Sequence, residues 1–356
     1  MGAGILRDFA GLSNGVLFLD RNQLLLALDC LRYVAYKCDV ISLRDELAPL
    51  VSAAAAQGVF MGTSSWKYPG WTELLYEEQR YLWHGKFSNS RFERSCLEEY
   101  SQVFPTVCVD AAYYKFPEAK SLIALAKQVP ASFRFSFKVT QDITVKRFPN
   151  IAHYGPRAGK ENPFFLDPSM FIHSFLAPCE AIRDQVGMLI FEFSPFHLTD
   201  FARGREFVQA LDSFLGCLPK GWNYGVEIRN RTFLHPEYFA MLAKHEVTHV
   251  FNSWTDMPGL EEQWNLVGSV TRPEVVGARL LLKPGRKYQT AVESFSPYNQ
   301  TKEILPTVRE TAAKMVQRGA TQKKPSQTFI YVNNRLEGNA LHTVKAILDQ
   351  SKLRVG

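Results

Sequence analysis

Two carboxylates stand where strand-forming runs should be apolar. Glu192 lies inside Leu189-Ile-Phe-Glu-Phe-Ser194, and Glu227 opens Glu227-Ile-Arg229. A carboxyl flanked by Phe191 and Phe193 has two readings. Desolvation would raise its pKa toward general-acid use, whereas a nearby Lys138 or Arg229 would keep it ionised in a structural pair. Side chains alternate along a strand, so Glu227 and Arg229 share one face, as do Glu192 and Ser194. Two carboxylates on neighbouring strands could also form a glycosidase-type pair, although sequence gives no distance between them.

Other polar residues fall at the ends of strand-like runs. Asp110, Lys138, Asn252, Arg279, Lys283 and Asn333 do so, with the aromatics Trp66, Tyr113, Tyr114 and Trp254. Lys138 precedes a long stretch, 140–168, that carries Lys146, Arg147, Arg157 and Lys160. With Lys283-Pro-Gly-Arg-Lys287, these cations would attract phosphate or carboxylate groups. The aromatics, Trp71 among them, either line a stacking pocket for a sugar ring or base, or plug a core. None of the histidines forms HxH; His245-Glu-Val-Thr-His249 spells HExxH but straddles the end of a predicted helix (237–244) and the start of a predicted strand (248–254), so it does not put both rings on one helix face, and no catalytic triad is legible. A divalent metal could be assembled from Asp110, Glu192 and Glu227, but no ligand spacing supports one, and no cofactor motif is identified.

The elements that must position these residues repeat one grammar: a short β-branched or aromatic run, a polar loop, then an amphipathic helix. Strands are predicted at 59–66, 106–114, 133–139, 187–194, 224–230, 248–254, 278–282 and 328–334. Helical periodicity lies between them at 91–103, 118–128, 170–183, 201–218, 237–244, 299–317 and 340–351. Ser90 is placed to cap the first of these helices and Pro236 to open the fifth. The sixth unit is thin, with a short helical pattern at 261–267.

Such alternation fits an α/β protein of the TIM-type (β/α)8 barrel class, in which catalytic groups gather where strands run out into the loops that follow them. An open doubly wound sheet is disfavoured because no GxGxxG or GxxxxGK[ST] follows a strand. Residues 1–57, with leucine-rich runs at 24–31 and 43–51, read as an N-terminal helical extension or a poorly ordered leader. Residues 58–356 read as the barrel.

At 46% hydrophobic and 21% charged, the composition excludes a disordered chain and a membrane bundle. The apolar stretch 16–36 holds four charges, too many for a span. A net charge of +6 favours anionic ligands without implying a nucleic-acid arm. The six cysteines show no CxxC spacing, so reduced thiols and a cytoplasmic location are expected.

The motifs together resemble one family. They are Gly62-Thr-Ser-Ser-Trp66 with Pro69-Gly-Trp71, Tyr100-Ser-Gln-Val-Phe-Pro105, and Val109-Asp-Ala-Ala-Tyr-Tyr114 with Phe116-Pro117. Phe133-Arg-Phe-Ser-Phe-Lys138, Phe191-Glu-Phe193, Gly225-Val-Glu-Ile-Arg-Asn230 and Asn333-Asn334 with Gly338-Asn-Ala340 follow in order. The chain is similar, from about 59 to 348, to the YecE-like proteins, domain-of-unknown-function family 72. The resemblance implies a TIM-type barrel and no established reaction. It marks Trp66, Asp110, Tyr114, Lys138, Glu192, Glu227, Arg229, Asn252 and Asn333 as site candidates. The chain departs from the family pattern at Cys108, where Glu is usual, and at Ala112 and Phe233. After Arg279 it reads Leu-Leu-Leu-Lys283, where Arg-x-His-Gly is common.

The expected function is that of an enzyme, of hydrolase or lyase type, on a phosphorylated or sugar-like anionic small molecule. Glu192, Glu227, Asp110 and Lys138 are the catalytic candidates. Trp66, Tyr114, Arg229, Asn252, Trp254, Lys283 and Asn333 are the substrate-binding candidates. A nucleic-acid-binding protein or nuclease is the alternative, and a non-catalytic scaffold barrel the third. No membrane partner is expected, and the oligomeric state is open.

Overall fold

The computed structural model describes residues 42–322 and 325–353. Among the described residues ten strands are present: β1 Val59–Thr63, β2 Leu82–Trp83, β3 Lys86–Phe87, β4 Thr106–Val109 and β5 Arg134–Lys138, then β6 Val186–Phe193, β7 Tyr224–Ile228, β8 Thr248–Ser253, β9 Val275–Leu280 and β10 Gln327–Val332. β2 and β3 form a small hairpin in the first connection. The other eight close a parallel barrel in the order β1-β10-β9-β8-β7-β6-β5-β4. The chain is therefore a TIM-type (β/α)8 barrel.

Each predicted strand is present, and most predicted ends overshoot. The run after Val109 becomes a tight helical turn, Asp110–Tyr113. β9 starts three residues earlier than the predicted 278–282, taking in Val275 and Val276, whose burial behind Glu274 completes the strand.

The longer regular helices among the described residues are α1 Leu43–Ala56, α2 Asn89–Tyr100, α3 Ala119–Ala126, α4 Gly204–Gly216 and α5 Pro236–Lys244, then α6 Leu260–Asn265, α7 Tyr288–Phe295, α8 Pro306–Ala320 and α9 Ala340–Ser351. The predicted 170–183 helix is present as an irregular helical run, Pro168–Met170 leading into Phe171–Leu176, Ala177–Cys179 and Glu180–Gln185. α1 buries Leu47, Val51 and Ala54, one stripe of its surface. Ser88, rather than Ser90, caps α2 by accepting from the Arg91 N–H. Pro236 does open α5. The predicted 299–317 helix begins only at Pro306, and α7, ahead of it, was not foreseen. The predicted helical run 24–31 lies outside the described residues.

The register slips steadily round the ring, as strand tilt in a closed barrel requires. Inward side chains of alternate strands therefore reach common heights and stack in layers. Below the mouth, one layer is Thr106, Met188, Thr248 and Phe329; the next is Gly62, Ser136, Gly225 and Gly277; the next is Cys108, Ile190, Val250 and Tyr331. The three glycines make room for their neighbours. A Cβ on Gly225 would come within 2.7 Å of Met188 Sδ and of Val250 Cγ2. The upper layers are different: Ser64, Lys138, Glu227 and Arg279, then Asp110, Glu192, Asn252 and Asn333. All eight of these residues are polar.

Among the described residues no helix is long and apolar enough to cross a membrane.

Candidate functional site

The two polar layers carry one chain of alternating charge. Asp110 Oδ1 accepts from Arg279 Nη2 at 2.6 Å, and Arg279 Nη1 donates to Glu227 Oε2 at 2.7 Å. Glu227 Oε1 accepts from Arg229 Nη2 at 3.2 Å and Nε at 3.3 Å. Arg229 Nη2 also lies 3.1 Å from Glu192 Oε2, which contacts Lys138 Nζ. The Ser194 hydroxyl donates to Glu192 Oε1 at 3.3 Å. Strand geometry sets this order, since Glu192 and Glu227 are register partners on β6 and β7 and so face the lumen together.

Burial is graded along the chain. Glu227, Glu192 and Arg279 are almost wholly buried, while the Asp110 side chain is 33% exposed, Lys138 12% and Arg229 9%. Rings flank the cations. Lys138 Nζ sits 3.5 Å from the Tyr113 ring centroid, and the Arg229 guanidinium 3.7 Å from that of Trp254. Both distances place a cation on a π face.

The electrostatics follow from these contacts. Burial pushes the Glu192 carboxyl up, but Arg229, Lys138 and Arg279 together outweigh it and hold it down at about 2. Glu192 is therefore ionised at neutral pH. Burial works against the Arg279 charge, yet Asp110 and Glu227 hold its pKa well above the usual value.

Polar capacity is left over. Among the described residues, the buried atoms Ser64 Oγ, Trp66 Nε1, Asn252 Oδ1 and Arg279 Nε have no hydrogen-bond partner. An orphaned buried donor or acceptor costs about 1–3 kcal/mol, so such a cluster calls for water or a ligand.

The candidates divide accordingly. Asp110, Lys138, Glu192, Glu227 and Arg229 are brought together with Trp254. Asn252 joins them, donating Nδ2 to the Ile228 carbonyl at 3.1 Å. The other four are occupied elsewhere or stand apart. Lys283 is exposed and pairs with Glu303 at 2.5 Å. Asn333 caps the short helix Asn334–Glu337, accepting from the Arg335 N–H at 3.0 Å. Tyr114 is 63% exposed at the rim, edge-on to Tyr113. Trp66 is buried in the main core, and Trp71 is wholly buried against Tyr68 and Tyr76, so neither contributes an open stacking face.

Arg279, one of the polar strand-end residues but not among the catalytic or binding candidates, is a central member of the chain. It was visible as a charge inside Val275–Leu280, but its two carboxylate partners come from other strands and have no sequence signature.

The expected cationic loop is also largely neutralised. Lys146 pairs with Glu161 at 3.3 Å, Arg157 with Asp142 at 2.5 Å, and Arg147 with Asp200 at 3.5 Å. Asp110, Glu192 and Glu227, the carboxylates that could have shared a metal, are interleaved with guanidinium groups. Among the described residues no three metal-ligating side chains are gathered.

A parallel eight-stranded barrel with its polar residues at the carboxyl mouth defines the class, and comparison with known proteins gives the family. Residues 60–355 match the model of DUF72, a protein family of unknown function, and the chain belongs to that family. It is similar to the UPF0759 protein YecE of Escherichia coli, at 24% identity over 183 residues, which are 51% of this chain and 50% of that protein. The match thus spans about half the length of that relative. Two solved structures share the fold. A DUF72 family protein of Enterococcus faecalis aligns with a TM-score of 0.57 at 17% identity, covering 83% of this chain and 96% of the other. One from Thermotoga maritima aligns at 0.54 and 22%, covering 83% and 98%.

Proposed function

We propose that the barrel mouth binds a small anionic molecule bearing phosphate or carboxylate, and that the barrel is an enzyme acting on it by proton transfer, of hydrolase or lyase type. The observation that carries this reading is the pair of all-polar layers with unpartnered buried atoms at the carboxyl face. A barrel needing only stability would fill those positions with apolar side chains, since buried ion pairs seldom out-stabilise a packed core.

In this reading Arg229 and Lys138 hold the anionic group. Glu192, fixed as an anion, keeps both in place. Arg229, Lys138 and Arg279 hold Glu192 as an anion, so this reading gives it a positioning part. Asp110 is the proton-transfer group, with one oxygen on Arg279 and the side chain open to solvent. Trp254 and Tyr113 would flank the ligand.

A second reading has its own support. Glu192 and Glu227 already have their charges matched within the chain, as a binding barrel without chemistry would have. Nucleic acid ranks behind both, because the loop cations are paired with carboxylates. A cytoplasmic setting is in keeping with the free, buried thiols of Cys96, Cys108 and Cys179.

Titration calorimetry with inorganic phosphate, and with phosphorylated and carboxylated small molecules, tests the binding. Arg229→Gln and Lys138→Met should each weaken it about tenfold or more. Equal affinity in both variants would sink the assignment. Asp110→Asn should keep binding and lose turnover of any ligand found. If no bound compound is converted by the parent protein, the binding-only reading replaces the enzymatic one.

A further inference from the structure

Beside the mouth, between the 140–167 excursion and the loop after β6, lies a cavity of about 310 Å³. Two of its wall residues touch the charge chain. Tyr113 carries Lys138 on its ring face, and Ser194 donates to Glu192. The cavity therefore adjoins the anion-holding pair. Its volume is at the lower end of the range for small-ligand sites.

Two deeply buried polar groups in its lining have unused capacity. The Thr144 hydroxyl, on a residue 1% exposed, has no partner. The Asp200 side chain is 6% exposed; its Oδ2 accepts from the His197 N–H at 2.9 Å, while Oδ1 accepts no hydrogen bond and has only Arg147 Nε at 3.5 Å. Phe148 and Phe196 line the same cavity. A carboxylate oxygen and a hydroxyl in a cavity with aromatic walls suit a ring that offers hydroxyl donors at its edge and C–H groups on its face. A bare inorganic anion would be repelled by the carboxylate and leave the aromatic walls unused, and a purely apolar ligand would leave both polar groups unpaired.

We propose that this cavity is the ring subsite of a sugar monophosphate, with Asp200 and Thr144 binding the sugar hydroxyls and the phosphate reaching Arg229 and Lys138. The inference rests on the anion-binding reading above and deepens it. Asp200 and Thr144 are specificity residues, and neither is part of the charge chain.

Calorimetry separates the two claims when run with three probes: inorganic phosphate, a panel of pentose and hexose monophosphates, and the matching free sugars. At least one sugar monophosphate should bind about tenfold or more tightly than inorganic phosphate, as a pair of buried hydrogen bonds allows. Thr144→Val and Asp200→Asn should each remove most of that gain and leave inorganic phosphate affinity unchanged. A thermal melt of each variant confirms that it is folded. If inorganic phosphate binds and no sugar monophosphate exceeds it, the subsite is refuted and the anion site stands. If a sugar monophosphate binds with an affinity that Arg229→Gln leaves untouched, the anion reading fails and with it the placement of the phosphate. If neither phosphate nor any sugar monophosphate binds, both proposals fall.

Discussion

In the lower lumen, Tyr331 donates its hydroxyl to Ser136 Oγ at 2.5 Å and lies 3.0 Å from Thr106 Oγ1, while Met188, Ile190, Val250 and Phe329 fill the space around them. A few ångströms up the same strands, Lys138, Glu192, Glu227, Arg229 and Arg279 bring full charges into the same lumen. Both regions are buried, and both are polar in part. The lower one uses neutral hydroxyls that satisfy one another. The upper one meets the much larger desolvation cost of ions and still leaves Ser64, Asn252 and Arg279 with unpartnered atoms. Stability alone accounts for the first arrangement. The second needs a role beyond stability, because apolar packing would hold the barrel together at least as well.

Breaking the comparison at its most buried cation should have the largest effect. Arg279→Met takes away the cation paired with Asp110 and one of the two paired with Glu227, leaving the Oε2 of a wholly buried carboxylate without its guanidinium. Chemical denaturation should show a loss of about 3–5 kcal/mol. A loss near zero would mean that the charges are better solvated than their burial implies.

The next effect is pH-dependent. Glu192 is held at about 2 against an ordinary 4.5, so its stabilising contribution is complete above pH 4.5 and is lost as pH falls toward 2. That contribution is roughly 3 kcal/mol. Glu192→Gln should be less stable than the parent at pH 7, with the gap closing in this acid window. A gap that stays constant with pH would show that Glu192 does not titrate as part of the chain.

The smallest effect belongs to the lower lumen. Tyr331→Phe removes a hydroxyl linking Ser136 and Thr106 and should cost about 1 kcal/mol, with no change in the acid window. A cost as large as that of Arg279→Met would erase the contrast between the two regions.

Much of this contrast was legible in the sequence, and its limits have physical causes. Alternation of apolar runs and amphipathic helices reveals the barrel because each run must be buried on both faces. Residues such as Glu192 and Arg229 stand out because charge is costly there. What one chain cannot show is which strand supplies the partner: Arg279 joins β4 to β7 through pairings set by barrel closure. The Asn333 side chain, polar at a strand end, serves a local cap, which sequence does not distinguish from a ligand contact. Lys283 likewise meets Glu303, twenty residues on, only because the chain folds back after α7. The start of α8 was misplaced because the periodicity of 299–317 hid Pro306, which favours the first helical turn.

The most direct test of the central claim is a crystal structure of the protein grown or soaked with phosphate. The account predicts a bound anion within hydrogen-bond distance of Arg229 Nη1 and Lys138 Nζ, with Glu192 still paired beneath it. A mouth holding only water at saturating phosphate, with the anion on the outer surface or nowhere, would contradict it.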